Sequence, residues 1–290
     1  MASRLARPAP ARRPRVARVP RVAYLGPEGT YSHSAVQQWF TAGADAIPCA
    51  SIDDVFSAVQ EGKADYGVVP VENSTEGPVN VTLDRLAGKS PTICGEIELR
   101  VQHNLLGRMK GLAQVRRVCA HPQALAQCRL WLDKHLPRAA RVPVSSNAEG
   151  ARLARGQSGT AAIAGRVAAT VYDLRVLAEG IEDHDHNTTR FLVLGRRRPR
   201  PTGADKTSLL VSSDRAQAGS LCRLLEPLAK YKVNMTRIES RPSRRHKWEY
   251  VFFIDVEGHA KDAPVARALA ALRKRSSVYR VLGSYPRAVL

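Results

Sequence analysis

The sequence predicts an α/β protein of two lobes followed by a small βαββαβ module. Near the N-terminus an apolar strand over residues 22–25 leads through a glycine turn into an amphipathic helix, which is a βα unit. A second series of βα alternations starts near Ile97. After Arg196 the order becomes strand, helix, strand, strand, helix, strand, which is typical of a ferredoxin-like fold. A chain of 290 residues has room for all three parts.

Lobe 1 is predicted from two strands that each end in a polar, glycine-containing turn. The turn at 26–32 follows the first strand, and the turn at 72–78 follows the apolar run 66–71. Between them, Ser51 caps a helix and Gly62 follows its end. Ligands of open α/β sheets bind at the carboxyl ends of strands, so we expect binding at this edge.

Lobe 2 is predicted to cover residues 98–185 and to begin with a strand over 98–106. His121 opens a helix over 124–135, and Asn147 caps the next one. The other predicted elements are strands over 115–120, 160–164 and 176–177, and a helix over 166–172.

The segment 186–194 combines a polar beginning with an apolar end. In a strand, Phe191 and Val193 face one side while Leu192 and Leu194 face the other, so both faces are covered. Two threonines and an arginine then lie at its leading edge. The plain alternative is that the polar residues form only a turn. If residues 186–196 return to lobe 1, the chain crosses between the lobes twice and leaves a cleft.

Part of the basic excess lies in the N-terminal tail and the linker, and the rest is spread through helical stretches. The net charge is +19, yet residues 1–21 hold seven arginines without an acid, and the proline-rich linker 197–206 holds more. We expect a disordered tail, with an organelle transit peptide as the alternative. No basic helix is interleaved with aromatic residues, so no specific nucleic-acid partner is expected.

Five cysteines without a C-x-x-C pair predict no disulfide framework and are typical of a reducing cytoplasm. No apolar run approaches the length of a membrane span, so we expect no membrane partner.

Four segments together resemble the prephenate dehydratase family: 26–32 (GPEGTYS), 70–77 (PVENSTEG), 121–128 (HPQALAQC) and 187–191 (NTTRF). The C-terminal module, predicted over 207–285, is similar to the ACT regulatory domain of that family in its segments 219–221 (GSL) and 238–242 (IESRP). The resemblance spans about residues 22–282, and we expect no chorismate mutase domain in front of it.

The resemblance implies a two-lobed, periplasmic-binding-protein-like catalytic domain over 22–196, with lobe 1 formed by 22–97 and 186–196. It implies decarboxylating dehydration of prephenate to phenylpyruvate, without metal or cofactor, with Thr189 as the catalytic residue. The expected substrate-binding residues are Thr30, Tyr31, Asn73, Ser74, Thr75, Gln127, Thr188 and Arg190.

The resemblance also implies that L-phenylalanine is an allosteric effector, bound between two ACT domains of a homodimer or homotetramer. The expected effector-binding residues are Gly219, Ser220, Leu221, Glu239, Ser240 and Arg241. Two positions depart from the family pattern there, because Ser220 replaces an alanine and Ala218 a proline.

The roles of some charged residues stay open. Glu72 would repel an anionic substrate and is excluded from contact. Arg190 could bind a substrate carboxylate, but a scaffold role with Glu72, Asp183 or Asp185 is favoured. His121 is interpreted as a helix-start residue rather than a base.

One departure falls in the predicted cleft. Ala120 stands where the family usually has serine, so that Ser145, Ser146 or water must replace the hydroxyl, or the contact is dispensable. The alternative functions are an arogenate dehydratase, which acts on the transaminated substrate, and a small-molecule sensor without catalysis.

Overall fold

The computed structural model describes residues 18–184, 186–213, 218–243 and 249–288. Within these ranges the chain forms two α/β lobes and a βαββαβ module, each built on its own sheet, which confirms the predicted fold class. Most of the predicted tail and Asp185 lie outside the described residues. None of the helices described is long and apolar enough to span a membrane.

Lobe 1 contains a mixed sheet whose strands follow the order β2-β1-β3-β11-β5, with β4 paired to β3. Its elements are β1 (Arg21–Leu25), α1 (Tyr31–Trp39), β2 (Asp45–Cys49), α2 (Ile52–Glu61), β3 (Tyr66–Asn73), β4 (Gly77–Pro78), α3 (Asn80–Ala87), β5 (Thr92–Arg100) and, later in the chain, β11 (Thr188–Gly195). Ser51 and Asp54 form a capping box on α2, and Gly62 ends this helix with a φ of 79°.

Strand β11 returns to lobe 1 and lies between β3 and β5, antiparallel to both. Phe191 and Val193 pack with the α1 side of the sheet, whereas Leu192 and Leu194 pack with the α2 side. The predicted alternation is confirmed. Since β11 is central, its first residues are held firmly at the edge that faces lobe 2.

Lobe 2 has a sheet in the order β10-β6-β9-β7-β8. Its elements are β6 (Asn104–Gly107), β7 (Arg117–Ala120), α4 (Pro122–Gln127), α5 (Arg129–His135), β8 (Ala140–Pro143), α6 (Asn147–Gly156), β9 (Thr160–Ala164), α7 (Arg166–Val171) and β10 (Arg175–Ala178).

Three predictions in this region were wrong in detail. The strand expected over 98–106 is divided between β5 and β6, because residues through Arg100 pair with β11; lobe 2 therefore begins after Arg100. The helix expected over 124–135 is interrupted at Cys128, whose φ of −113° is not helical. Ser146, not Asn147, caps α6, because its hydroxyl accepts the Glu149 N–H at 3.0 Å.

The C-terminal module has an antiparallel sheet in the order β13-β14-β12-β15. Its elements are β12 (Asp205–Ser213), α8 (Ser220–Lys230), β13 (Met235–Pro242), β14 (Tyr250–Glu257), α9 (Ala263–Lys274) and β15 (Ser276–Pro286). The predicted linker is two residues shorter at its end, since β12 already begins at Asp205.

The module packs with one sheet face directly on lobe 1. Phe253, Leu282 and Tyr285 from the module share a buried core with Phe56 and Leu83 of lobe 1. The other sheet face is covered by α8 and α9, which form a separate core with it. The module is therefore fixed against the lobe that carries β11.

Candidate active site

The two lobes enclose a cleft of about 250 Å³ at the leading edge of β11. Lobe 1 contributes Gly29, Thr30, Tyr31, Asn73, Asn187 and Thr189, and the remaining lining residues are Val101, His103, His121, Gln123, Ala124, Gln127, Ser145, Ser146, Asn147 and Gly165. Both polar turns of lobe 1 and the start of β11 meet here, as the sequence predicted.

Thr189 is positioned by Asn73, its register partner on β3. Asn73 Nδ2 donates to Thr189 Oγ1 at 2.8 Å and to Asn187 Oδ1 at 2.7 Å. On its other side, Asn73 Oδ1 accepts the backbone N–H groups of Thr75 and Glu76, both at 3.0 Å. The turn after β3 thus fixes the amide that holds the threonine hydroxyl.

Tyr31, His103 and Gln127 form a second polar group that joins the lobes. The Tyr31 hydroxyl lies 2.8 Å from His103 Nδ1, and His103 Nε2 lies 2.8 Å from Gln127 Oε1. Asn187 Nδ2 approaches the same Oε1 at 3.4 Å and connects this group to Asn73. A continuous hydrogen-bond chain therefore runs from Tyr31 to Thr189.

Helix N-termini approach the cleft from both lobes. Thr30 caps α1: its hydroxyl accepts the His33 N–H at 3.4 Å and donates to the Leu25 carbonyl at 3.2 Å. In lobe 2, Ser146 caps α6. The free amides in the first turns of these helices favour anions. Thr30 thus lies at the predicted place, but its hydroxyl is used for capping.

None of the described residues that line the cleft is Lys, Arg, Asp or Glu. Burial lowers the pKa of His103, against the opposing effects of the Gln127 hydrogen bond and the Glu182 charge. His103 is accordingly neutral at pH 7, and dipoles dominate the cleft. No cluster of His, Cys, Asp or Glu in the described ranges is arranged to hold a metal ion.

Ala120 is fully buried, and its carbonyl accepts the Val144 N–H at 3.0 Å. This pairing brings the next two residues, Ser145 and Ser146, to the cleft wall. Because the Ser146 hydroxyl caps α6, Ser145 is the better placed of the two to supply a hydroxyl there.

Arg190 faces away from the cleft, so its expected role in substrate binding is corrected. Its Nε donates to Glu96 at 2.8 Å, Nη1 to Asp255 at 2.7 Å and Nη2 to the Tyr285 hydroxyl at 3.2 Å. Glu72 is more distant, at 3.9 Å. The scaffold role is therefore the one that the geometry favours, although its main partners are not those proposed from the sequence.

Other expected binding residues lie beside the cleft. Ser74 and Thr75 border an adjoining opening of about 440 Å³, which shares Gln127 and Asn187 with the cleft. The Ser74 hydroxyl is engaged with the backbone at His186 and at Thr188. Thr188 lines neither space among the described residues, so it contributes through its backbone.

The expected effector residues are divided between two surfaces of the module. Gly219 caps α8 with a φ of 74°, a conformation that glycine adopts easily, and Ser220 begins the helix. Ser240 is exposed on the edge strand β13. Arg241 donates to Asn80 at 2.6 Å and to Asp84 at 2.8 Å in lobe 1, so its guanidinium links the module to lobe 1, and its expected effector contact stays a prediction.

The sequence profile of the family described as prephenate dehydratase matches residues 22–199, and that of the ACT domain matches residues 207–274. The first match covers more than half of the chain. The chain belongs to the prephenate dehydratase family. Both matches agree with the lobes and the module of the structure.

Relatives match almost the whole chain. The bifunctional chorismate mutase/prephenate dehydratase of Neisseria gonorrhoeae is 51% identical over 272 residues, which cover 93% of this chain and 75% of that protein. The crystal structure of prephenate dehydratase from Arthrobacter aurescens in complex with L-Phe has a TM-score of 0.84 and 40% identity, and covers 92% of this chain and 90% of that one.

A structural relative with a different description also matches. GqqA, described as a quorum-quenching acylase, has a TM-score of 0.82 and 35% identity, and covers 92% of this chain and 97% of that one. Structural relatives of this chain are thus described with more than one activity, and the residues of the cleft indicate which reaction this chain can catalyse.

Sequence reasoning missed His103 and Asn187 as cleft residues. Asn187 belonged to a recognised segment but was not among the expected binding residues. His103 lies in the crossing between β5 and β6, and the wrong strand prediction over 98–106 concealed that crossing. A predicted break after Arg100 would have placed His103 at the hinge.

Proposed function

We propose that this chain converts prephenate to phenylpyruvate and that Thr189 is its catalytic residue. The observation that carries the proposal is the 2.8 Å hydrogen bond from Asn73 Nδ2 to Thr189 Oγ1. A hydroxyl that accepts this bond keeps its own proton for donation. Because Thr189 lines the cleft, that proton is available to a bound substrate.

In the proposed reaction the ring carboxylate leaves as carbon dioxide, and its bonding pair completes the aromatic ring as the ring C–O bond breaks. The departing hydroxyl takes up one proton and leaves as water. Thr189 is a weak acid by itself, so its contribution is a hydrogen bond that strengthens as charge develops on the leaving oxygen. The proton consumed overall comes from solvent.

The absence of Lys and Arg among the described lining residues suits this chemistry. Prephenate is a dianion, and one of its charges disappears with carbon dioxide. A cation bound to that carboxylate would stabilise the ground state more than the transition state and so slow the reaction. Backbone amides and neutral side chains hold an anion with a smaller penalty when the charge departs.

The amides at the starts of α1 and α6 are the proposed anion contacts. Both helices are long enough to support a dipole, with 9 and 10 residues. They approach from opposite lobes, so that a bound dianion would draw the lobes together. Substrate binding would therefore exclude water from the neighbourhood of Thr189.

The direct test follows phenylpyruvate formation from prephenate by purified protein. Thr189→Val keeps the shape of the side chain but removes the hydroxyl, and we expect kcat to fall by about 10²-fold or more. Thr189→Ser is the matched control and should retain much of the activity. Wild-type protein no faster than the spontaneous reaction would refute the proposal, and an active Thr189→Val variant would refute the role of Thr189.

Arogenate is the rival substrate because it differs only by an ammonium in place of the keto group. A site for arogenate should offer a carboxylate, and the described lining contains none. We therefore expect a higher kcat/KM for prephenate. A preference for arogenate in a direct comparison would overturn this choice.

An acylase or a sensor would use the same cleft differently. An acylase with a serine or threonine nucleophile needs a base on that hydroxyl, and among the described residues that line the cleft no serine or threonine hydroxyl is hydrogen-bonded to a histidine ring. Release of free fatty acid from an acylated amide would favour the acylase. Tight prephenate binding without turnover would favour the sensor.

We further propose that L-phenylalanine binds the ACT module near Gly219 and Ser240 and lowers activity, with the active protein a dimer or tetramer. The bound L-Phe of the Arthrobacter aurescens relative supports the ligand. Among the described residues β13 is an edge strand of its sheet, and Ile238 on this strand is 39% exposed; an exposed edge of this kind supports self-association. Calorimetric titration with L-phenylalanine and light scattering test the two parts separately.

A further inference from the structure

The hydrogen-bond directions in the cleft can be followed from one fixed point, Asn73. Its Oδ1 accepts two backbone N–H groups, from Thr75 and Glu76. Only a carbonyl oxygen can do this, so the other amide atom is the NH₂ group. That group donates to Asn187 Oδ1 and Thr189 Oγ1, and the assignment leaves no freedom to flip the amide.

The same reasoning sets the next two amides. Because Asn187 Oδ1 accepts from Asn73, the Asn187 atom that faces Gln127 is Nδ2, a donor. The Gln127 atom that it approaches at 3.4 Å must be the acceptor Oε1. His103 Nε2 lies 2.8 Å from this oxygen and therefore carries a proton.

The opposite tautomer of His103 would satisfy the hydrogen bond to Tyr31 but not the hydrogen bond to Gln127. Protonated at Nδ1, the ring could donate to the Tyr31 hydroxyl, which would then donate to the Gln102 carbonyl at 3.0 Å. The bare Nε2 would then face the Gln127 oxygen, acceptor against acceptor. Flipping Gln127 would remove that conflict but turn its NH₂ group towards the NH₂ group of Asn187.

We propose that His103 is a positioning residue for the proposed dehydratase reaction: as the Nε2–H tautomer it holds Gln127 so that the Gln127 NH₂ group is presented to the substrate. The inference rests on the proposed function for the identity of that substrate. Its support is that Gln127 Nε2 is buried without a hydrogen-bond partner among the described residues. A buried donor left without a partner is costly, and an oxygen of an anionic ligand would satisfy it.

Tyr31 completes the arrangement. Its hydroxyl lies 2.8 Å from His103 Nδ1, closer than the Gln102 carbonyl at 3.0 Å. By donating to Nδ1, the hydroxyl stabilises the tautomer whose proton is on Nε2. Tyr31 is in lobe 1 and His103 follows the crossing into lobe 2, so the selection depends on the lobes being in contact.

The tautomer can be read without any activity. In full-length protein labelled with ¹⁵N-histidine, two-bond ¹H–¹⁵N correlations distinguish protonated from bare ring nitrogens. The His103 signals are those missing from His103→Gln. At about pH 8, above the ordinary histidine pKa, we expect a proton on Nε2 and a bare Nδ1. A neutral ring protonated on Nδ1 overturns the proposal, whatever the enzyme does with prephenate.

A pair of variants tests the positioning role. Glutamine places its amide nitrogen near the position of Nε2 and can donate to Gln127, whereas asparagine reaches only the position of Nδ1. Against His103→Ala, we expect His103→Gln to restore kcat/KM to within about tenfold of wild type and His103→Asn to stay about 10²-fold below it. The loss should appear mainly in KM, because the Gln127 donor binds substrate and transition state alike.

Each outcome decides a separate point. Equal losses in the two variants, or better rescue by asparagine, would contradict the role of the Nε2 proton. If wild-type protein does not turn over prephenate, the proposed function fails. The tautomer measurement is independent of that result, because a proton on His103 Nε2 shows by itself how the Gln127 amide is oriented. Should a variant not fold, as judged by its thermal transition, Tyr31→Phe provides a second test, with an expected shift of the His103 tautomer signals.

Discussion

Thr189 and Arg190 are neighbours on β11, but they face surroundings of different chemistry. On the cleft side, Thr189 is held by neutral amides, and no described lining residue is Lys, Arg, Asp or Glu. On the module side, Arg190 lies among Glu96, Asp255 and Tyr285, and its side chain is only 11% exposed. Strand β11 thus lies between a cleft lined by neutral polar groups and a buried network of ion pairs.

The difference shows where charged side chains stabilise this protein and where they would oppose its proposed reaction. In the network the charges are permanent, so paired ions can be buried and held in one geometry. In the cleft the proposed reaction removes a charge, and fixed ions would oppose that change. The two arrangements meet on β3, where Glu72 forms an ion pair with Arg237, with 2.9 Å between Oε2 and Nε, and the next residue, Asn73, holds Thr189.

The largest effect is expected from removing the guanidinium of the network. Arg190→Met keeps most of the apolar stem but leaves the buried carboxylates Glu96 and Asp255 without the cation that they share, with Lys206 paired only to Glu96. We expect a loss of about 3–5 kcal/mol in the free energy of unfolding. Urea denaturation of the full chain measures it.

The matched control is Arg152→Met, which removes an exposed arginine paired with Glu149 on α6. This pair is open to water, so we expect the urea midpoint to stay close to that of wild type. Similar midpoints for Arg190→Met and Arg152→Met would show that the network around Arg190 contributes little.

The corresponding change on the cleft side is Asn73→Asp. The carboxylate can still accept the Thr75 and Glu76 N–H groups, but it cannot donate to Thr189. The Thr189 hydroxyl would then donate to the carboxylate instead of the substrate. We expect kcat to fall by about 10²-fold, with a thermal midpoint near that of wild type. A large fall in the midpoint with unchanged kcat would contradict this division between cleft and scaffold.

A smaller effect is expected where β15 of the module packs tightly against β5 of lobe 1. A Cβ on Gly283 of β15 would overlap the carbonyl oxygen of Ile93 on β5, which is backbone and cannot rotate aside. Gly283→Ala should cost about 1–3 kcal/mol of unfolding free energy. Gly111→Ala is the control, because nothing lies within 4 Å of its added Cβ and its φ of −170° suits alanine.

Periodicity predicted those elements whose burial pattern is simple. The order of strands and helices in the C-terminal module was predicted correctly, and so were the two faces of β11. β2 (Asp45–Cys49) and α3 (Asn80–Ala87) were missed. β2 is an edge strand with no fully buried residue and a proline, and α3 begins without a side-chain cap.

Segment resemblance located Thr189, Asn73 and Gln127, but not what each side chain contacts. The partners of Arg190 are 94 and 65 residues away in the chain, on β5 and β14. No local pattern indicates that the module packs against Arg190, so the sequence could not show that Asp255, and not Glu72, is a main partner of this arginine. The hydrogen-bond chain through His103 depends in the same way on two lobes meeting.

The smallest effect is expected in the pH dependence of the unfolding free energy, which tests the ionic network around Arg190. Burial alone would raise the pKa of the Asp255 carboxyl, but the Arg190 charge and the Ser208 hydrogen bond outweigh it and hold that pKa below its usual value. Asp255 therefore stabilises the wild type above about pH 4, the ordinary aspartate pKa, and this stabilisation is lost as the pH falls through the lowered pKa.

In Arg190→Met the positive charge that lowers the Asp255 pKa is gone, so burial should raise this pKa. The pH dependence of the contribution of Asp255 to stability then has the opposite sign. The contribution of Asp255 to the stability of this variant then increases as the pH falls, because its neutral form is preferred in the folded state. The gap in unfolding free energy between wild type and Arg190→Met should narrow between pH 7 and about pH 4. A constant gap in urea titrations at the two pH values would show that the Arg190 charge does not set the Asp255 pKa.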